Sequence, residues 1–241
     1  MSLHFDGIND IAQTLTAPVT AVPFTLACWI KPDDASIVAN QFFLTLSDAS
    51  DSQRFYLYIA GSSETPQGAL ACYAEGSAGD GNNIAGPLTD DVWQHVCLVC
   101  ASATDRRLYL NGGSRLDMTG NVGAPSVDRF QIGSRADLSD PFGGFMADVA
   151  VWNAALSDAQ AAALASFYPS EVAAANLAAY WPLRTNADPT PDVVGANDLD
   201  VTGATFDGGD NPMLLLAAQS IRGKLQYRKV GQTTWRDVLP E

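Results

Sequence analysis

Glutamate and histidine are scarce in this chain, and their scarcity removes whole classes of chemistry. Glu64, Glu75, Glu171 and Glu241 are its only glutamates, and His4 and His95 its only histidines. No two of the glutamates are near each other in sequence, whereas retaining glycoside hydrolysis needs two carboxyl groups about 5 Å apart. Two histidines and four scattered cysteines make a zinc site unexpected. The patterns G-x-S-x-G and H-E-x-x-H and a phosphate-binding glycine loop are also missing. Catalysis is therefore not expected. No apolar run approaches the roughly 20 residues that span a bilayer, so membrane insertion is not expected either. Nor does the N-terminus show the basic and apolar regions of a secretory leader. Basic residues are few, 13 against 27 acidic, and the net charge of −14 argues against a nucleic-acid partner.

What is present is a strand-rich body with an unlike tail. Hydrophobic residues make up 47% of the 241, which suits one all-β domain with a large core rather than a disordered chain. Short alternating or apolar runs predict strands from Met1 to about Ala12 and over Phe24–Ile30, Gln41–Leu46, Arg54–Ala60 and Ala69–Glu75. Further strands are expected over Trp93–Cys100, Arg107–Asn111, Phe130–Ile132, Phe145–Trp152, Ala178–Leu183 and Asp198–Thr205. Gly76 to Pro87, with no apolar period, reads as a loop. Asn111-Gly112 marks a tight hairpin turn that needs positive φ at both positions. Ser157 to Gln160 has the spacing of a capping box, and the Ala-rich run from Asp158 to Phe167 follows as the one short helix. Cys97 and Cys100, three apart in a strand, face opposite ways and cannot share a metal; all four cysteines are expected to be buried reduced thiols that act as small hydrophobes.

Past the Gly208-Gly209-Asp210-Asn211-Pro212 linker the character changes. Residues 214–241 carry five basic against two acidic side chains, a net of +3 that leaves −17 on residues 1–213. Lys224–Lys229 and Thr233–Leu239 read as a hairpin turning at Gly231. An isolated hairpin is marginal in water, so this arm is expected to pack on the domain, on another subunit or on a larger assembly. The domain division is thus 1–207 for the body and 208–241 for linker and arm.

Several segments, in order, carry a resemblance. FDGINDIA (Phe5 to Ala12), PFTLACWIKPDD (Pro23 to Asp34) and WQHVCLVCASATDRRLYLNGG (Trp93 to Gly113) resemble strands of laminin-G-like and pentraxin-like, that is concanavalin A-like, jelly rolls. So do GGFMADVAVWNAALS (Gly143 to Ser157) and AAYWPLRTN (Ala178 to Asn186). The resemblance implies an antiparallel β-sandwich. It also implies a disulfide between the F-T and H-V-C strands: Cys97 matches one partner, while the other is displaced by one residue to Cys28, which turns it to the opposite face. IGSRADLSDPFGG (Ile132 to Gly144) resembles the pentraxin calcium loop, so Asp137 and Asp140, with Asp51 and Asp48 from the neighbouring turn, are the candidate Ca²⁺ ligands. This chain lacks the insertion that supplies further ligands in pentraxins. For carbohydrate, Tyr56, Tyr58 and Tyr73 are the candidate aromatic contacts, Tyr56 and Tyr58 sharing a face by their spacing of two. Trp29, Trp93, Trp152, Trp181 and His95 are assigned to the core.

The C-terminal L-Q-Y-R-x-x-G-x-T-T-W-R-D-V resembles a hairpin of phage tail, fibre and other virion proteins. It makes Arg222, Lys224, Tyr227, Arg228 and Trp235 the candidate assembly residues. The expectation is a non-catalytic virion component, assembled in a host cytoplasm as a homo-oligomer or with other virion proteins, displaying a lectin-like sandwich toward a host surface glycan. The alternative is a calcium-dependent carbohydrate-binding adhesion module, and a glycan-cleaving enzyme comes third.

Overall fold

The computed structural model describes residues 2–123 and 125–207, Pro212, and two short strands near the C-terminus. In chain order its strands are β1 (Ser2–Asp6), β2 (Ile11–Thr14), β3 (Phe24–Pro32), β4 (Gln41–Ser47), β5 (Arg54–Ile59), β6 (Ala69–Gly76) and β7 (Gly79–Pro87). There follow β8 (Gln94–Ser102), β9 (Asp105–Leu110), β10 (Gly113–Met118), β11 (Arg129–Ile132) and β12 (Gly143–Trp152). After the helix α1 (Asp158–Ala163) come β13 (Leu177–Trp181), β14 (Asp200–Thr202) and β15 (Thr205–Asp207). They form two antiparallel sheets. The eight-stranded sheet runs β10-β9-β8-β3-β12-β1-β15, with β13 also on β12, and the seven-stranded sheet runs β14-β2-β11-β4-β5-β6-β7.

Alternation along the strands decides what lies between the sheets. Leu26, Cys28 and Ile30 of β3 point inward with Phe55, Leu57 and Ile59 of β5. Phe24 meets Phe55 edge-on at 4.9 Å between ring centroids, and Phe130 of β11 stacks on Trp181 of β13 at 4.8 Å. These aromatic pairs tie one sheet to the other across the core. On the outer face of the eight-stranded sheet, α1 covers Ala27, Cys97, Val99, Ala150 and Trp152. Its N-terminus carries the expected capping box, Ser157 with Gln160.

Some expectations need correction. The stretch read as a loop, Gly76 to Pro87, is mostly β7, the edge strand of the seven-stranded sheet, paired along β6 from Ala69↔Pro87 to Gly76↔Gly79. An edge strand is held by its backbone ladder on one side only, so it needs no apolar period. The opening strand is two strands in different sheets, and the region read as a last strand is likewise divided between β14 and β15. The helix ends at Ala163 rather than Phe167. Cys28 pairs in register with Val96, and it is Ala27 that faces Cys97. As the one-residue displacement implied, Cys28 lies in the inter-sheet core and Cys97 under α1, and all four cysteines are the buried free thiols expected from their place in the strands.

Near the C-terminus, Gln226–Tyr227 (β16) pairs antiparallel with Arg236–Asp237 (β17), as the hairpin reading expected. Arg222, Lys224, Arg228 and Trp235 lie outside the described residues.

Candidate functional site

The outer face of the seven-stranded sheet carries an unusual aromatic layer. Because Phe55, Leu57 and Ile59 point into the core, Arg54, Tyr56 and Tyr58 of β5 point out. Tyr73 on β6 stands directly opposite Tyr56, and Phe42 on β4 opposite Tyr58. The rings make a continuous floor, with Phe42 stacked on Tyr58 at 4.7 Å and Tyr56 on Tyr73 at 6.1 Å. The three tyrosines singled out from the sequence are thus brought together on one face. Tyr56 and Tyr58 are each only 2% exposed, so they are a floor rather than a protruding platform. Tyr73 is half-buried.

Two guanidinium groups stand on this floor. Arg54 lies 5.5 Å from the Tyr56 centroid and 5.4 Å from that of Tyr73, while Arg135, from the loop before β12, lies 5.3 Å from Phe42 and 5.5 Å from Tyr56. Each such contact is worth about 0.5–2 kcal/mol. Carboxylates hold the outer ends. Tyr56 donates to Asp51, Tyr58 donates to Glu64 at 2.9 Å, and Tyr73 donates to Glu75 at 3.0 Å. Arg54 donates to the Asp51 carbonyl and carboxylate and pairs with Glu75. Burial, and then the carboxylate of Asp51, push the Tyr56 phenol well above its usual range, so it stays a donor. Burial alone would lower the Arg54 and Arg135 guanidiniums, but the phenols and carboxylates around them more than offset it and hold both charged. The four rings, Arg54, Arg135, Glu64 and Asn40 line a cavity of about 290 Å³.

The candidate calcium ligands do not surround a shared open point. Both Asp48 oxygens are spent within their own turn, one on the backbone N–H groups of Ser52 and Gln53, the other on the hydroxyls of Ser50 and Ser52. Although burial opposes it, those bonds bring the Asp48 carboxyl down to about 2. Asp137 accepts the N–H and hydroxyl of Ser139. Between Asp51, Asp137 and Asp140 stands Arg135, whose nitrogens lie 3.9, 3.9 and 3.8 Å from the three carboxylates. Among the described residues no group of three or more His, Cys, Asp or Glu side chains converges as a metal site. With Arg135 among them, the donor set does not fit Ca²⁺, which needs six to eight oxygens at about 2.3–2.6 Å.

The loop bearing Arg135 is fixed at both ends by glycine. A Cβ on Gly133 (φ +96°) would sit 2.5 Å from the Phe5 ring, and one on Gly144 (φ +145°) 2.5 Å from the Lys31 carbonyl oxygen. Both backbones also lie where side chains are disfavoured.

Arg54, Arg135, Glu64, Asn40 and Phe42 escaped the sequence reading. For Arg54 the signal was present: it precedes Tyr56 by the same two residues that separate Tyr56 from Tyr58. Nothing local placed Arg135 over β4 and β5, because that contact spans some 80 to 90 positions. A larger hollow of about 430 Å³ lies on the other sheet, lined by Trp29, Trp93, Gln94, Asn111 and Pro212. It has aromatic walls but no charged side chain, and its rim at Pro212 adjoins residues outside the described set. Trp29, Trp152 and Trp181 are buried as expected, but Trp93 is half-buried at this rim. His95 is buried beside Trp29, and burial lowers its imidazole to about 3, as suits a neutral core histidine.

Residues 6–162 match the profile of the concanavalin A-like lectin/glucanases superfamily, Laminin_G_3. A search of curated proteins returns no match. Among solved structures, the native heptameric SAP-like pentraxin of Limulus polyphemus is similar over 85% of this chain and 93% of its own, at 17% identity and a TM-score of 0.57. A putative carbohydrate-binding protein of Bacteroides ovatus is similar over 85% of this chain and 58% of its own, at 21% identity and a TM-score of 0.62. The sialidase CBM40 of Ruminococcus gnavus bound to α2,3-sialyllactose is similar over 69% of this chain and 98% of its own, at 17% identity and a TM-score of 0.52. At these identities the likeness is one of fold.

Proposed function

Because the chain belongs to the concanavalin A-like lectin/glucanases superfamily, we propose that it is a non-catalytic carbohydrate-binding protein whose site is the notch over Tyr56, Tyr58 and Tyr73. The observation that supports this most is the pairing of a continuous aromatic floor with fixed planar hydrogen-bonding groups, Arg54, Arg135, Glu64 and Asn40, around one concavity. A sugar ring has an apolar C–H face, which packs on aromatic rings, and a rim of hydroxyls. Guanidinium and carboxylate groups bond such hydroxyls, two at a time where geometry allows. Its volume is near the lower end of the usual range for small-molecule sites, about 300–1,000 Å³, which suits one or two sugar units. Carbohydrate-binding neighbours of the same fold agree with this reading.

The test is a glycan array followed by titration calorimetry on wild type and Tyr73→Ala. The variant should bind the selected saccharide about tenfold more weakly, the effect of losing roughly 1.4 kcal/mol of aromatic contact, while the sandwich stays folded. Wild type that binds nothing on the array, or a Tyr73→Ala variant that binds equally well, rejects the site.

The virion role is a second and separate proposal. It is favoured by the β16–β17 pairing and by the opposite charge of tail and body, which would let the tail act as a docking arm. A protein displayed on a particle and a carbohydrate binder are compatible readings, since the notch and the arm are different parts of the chain.

A further inference from the structure

We propose that Arg135 is the resident cation of the tyrosine notch, standing between Asp51, Asp137 and Asp140 where a divalent ion would have to sit, so that the notch works without metal. The saccharide part of this inference rests on the carbohydrate-binding reading; the cation part does not.

Three different nitrogens of one guanidinium face three different carboxylates. Nη2 lies 3.9 Å from Asp51, Nε 3.9 Å from Asp137 and Nη1 3.8 Å from Asp140. These are ion-pair distances, too long for direct hydrogen bonds, and the buried Nε has no hydrogen-bond partner. The group is flanked by charge on its edge and stands over the rings of Phe42 and Tyr56. A planar guanidinium suits this position, since it lies flat on aromatic rings while presenting N–H groups along its whole rim.

The same geometry disfavours a divalent ion. An ion that close to Arg135 would meet a positive charge in a partly buried site, where repulsion is weakly screened. Asp51 bonds Arg54 and Tyr56, and Asp137 bonds the Ser139 N–H and hydroxyl, but each carboxylate keeps lone pairs to spare, so it is the guanidinium that excludes an ion. Arg135 therefore does two jobs. It neutralises the acidic loop, and it forms one wall of the cavity.

Two readouts test this on the full-length protein. The first needs no sugar: thermal melting in millimolar Ca²⁺ and in EDTA, together with Tb³⁺ luminescence titration. Wild type should melt at the same temperature in both solutions and should not bind Tb³⁺ at the notch. Arg135→Gln removes the charge and leaves three facing carboxylates, so its melting temperature should become Ca²⁺-dependent, rising by roughly 3 °C or more. Arg135→Lys keeps a positive charge and should stay indifferent to Ca²⁺. Wild type that loses stability in EDTA, a folded Arg135→Gln that gains no metal response, or an Arg135→Lys that gains one overturns the proposal. If Arg135→Gln fails to fold, the wild-type and Arg135→Lys melts decide alone. The second readout is saccharide affinity of wild type in EDTA, expected to equal that in Ca²⁺; a loss of binding in EDTA overturns metal independence. A protein that binds no saccharide in either solution refutes the carbohydrate reading and leaves the melts to decide the cation.

Discussion

Single side chains here show how burial sets charge. His95 is enclosed beside Trp29, and its imidazole is pushed from an ordinary value near 6.5 to about 3. A depressed folded value means that the unfolded chain binds the proton first, so stability from this residue is fully present above about pH 6.5. It is lost as pH falls from there toward 3, by up to about 1.4 kcal/mol per pH unit. Urea unfolding of wild type and His95→Phe at pH 7, 5 and 4 should show wild type losing ground to the variant with each step down. Parallel curves would mean that the imidazole is solvated after all. Asp48, held down to about 2, opens its own window only below about pH 4 and does so in both proteins. The cysteines make a similar point about register. Cys28 is one position away from facing Cys97, and one position in a strand is the difference between two faces of a sheet.

At the level of elements, α1 is short, and its start is defined by a side chain. The Ser157 hydroxyl accepts the N–H of Gln160 at 3.3 Å, and the Gln160 side chain accepts the Ser157 N–H at 2.9 Å. Ser157→Ala should cost about 1 kcal/mol and lower the melting temperature by about 2–4 °C in a calorimetric scan. An unchanged melt would show that Leu156, Ala161 and Leu164, packed on the sheet, hold the helix unaided. Such local signals are what sequence reading handles well. The capping box, the Asn111-Gly112 turn with φ of 54° and 71°, and the alternating runs of β3, β5 and β12 were all legible. β7 was not, because Gly79 to Pro87 is held largely by its ladder to β6, with Ile84 and Ala85 as its apolar contacts among the described side chains. The tyrosines were legible as a group, yet nothing local told the inside of β5 from the outside. That depends on which neighbour covers which face. The placement of Arg135 was hidden for the same reason: its partners come from β4, β5 and the turn at Asp51.

For the whole molecule, the question is what the two ends of the charge distribution do. Residues 1–213 carry −17 and the tail +3, an arrangement in which the tail of one copy suits the body of another or an acidic neighbour. Light scattering on full-length protein and on a version ending at Asn211 separates the cases. An oligomer that falls to monomer on shortening supports the tail as the assembly element. If both forms keep the same mass above that of one chain, the sandwich itself joins the subunits, and the tail is not the assembly element.

Gly133 and Gly144 hold the loop between them at two points where no side chain fits. Everything that faces the notch from that loop, Arg135 included, lies within this short bracket, and the strands on either side are committed to the core. The segment is therefore an interchangeable cassette. If the notch binds saccharide as proposed, replacing residues 135–139 while keeping both glycines, the Asp140–Pro141 contact with Phe42 and the buried Phe142 would change what the ligand meets with the sandwich retained.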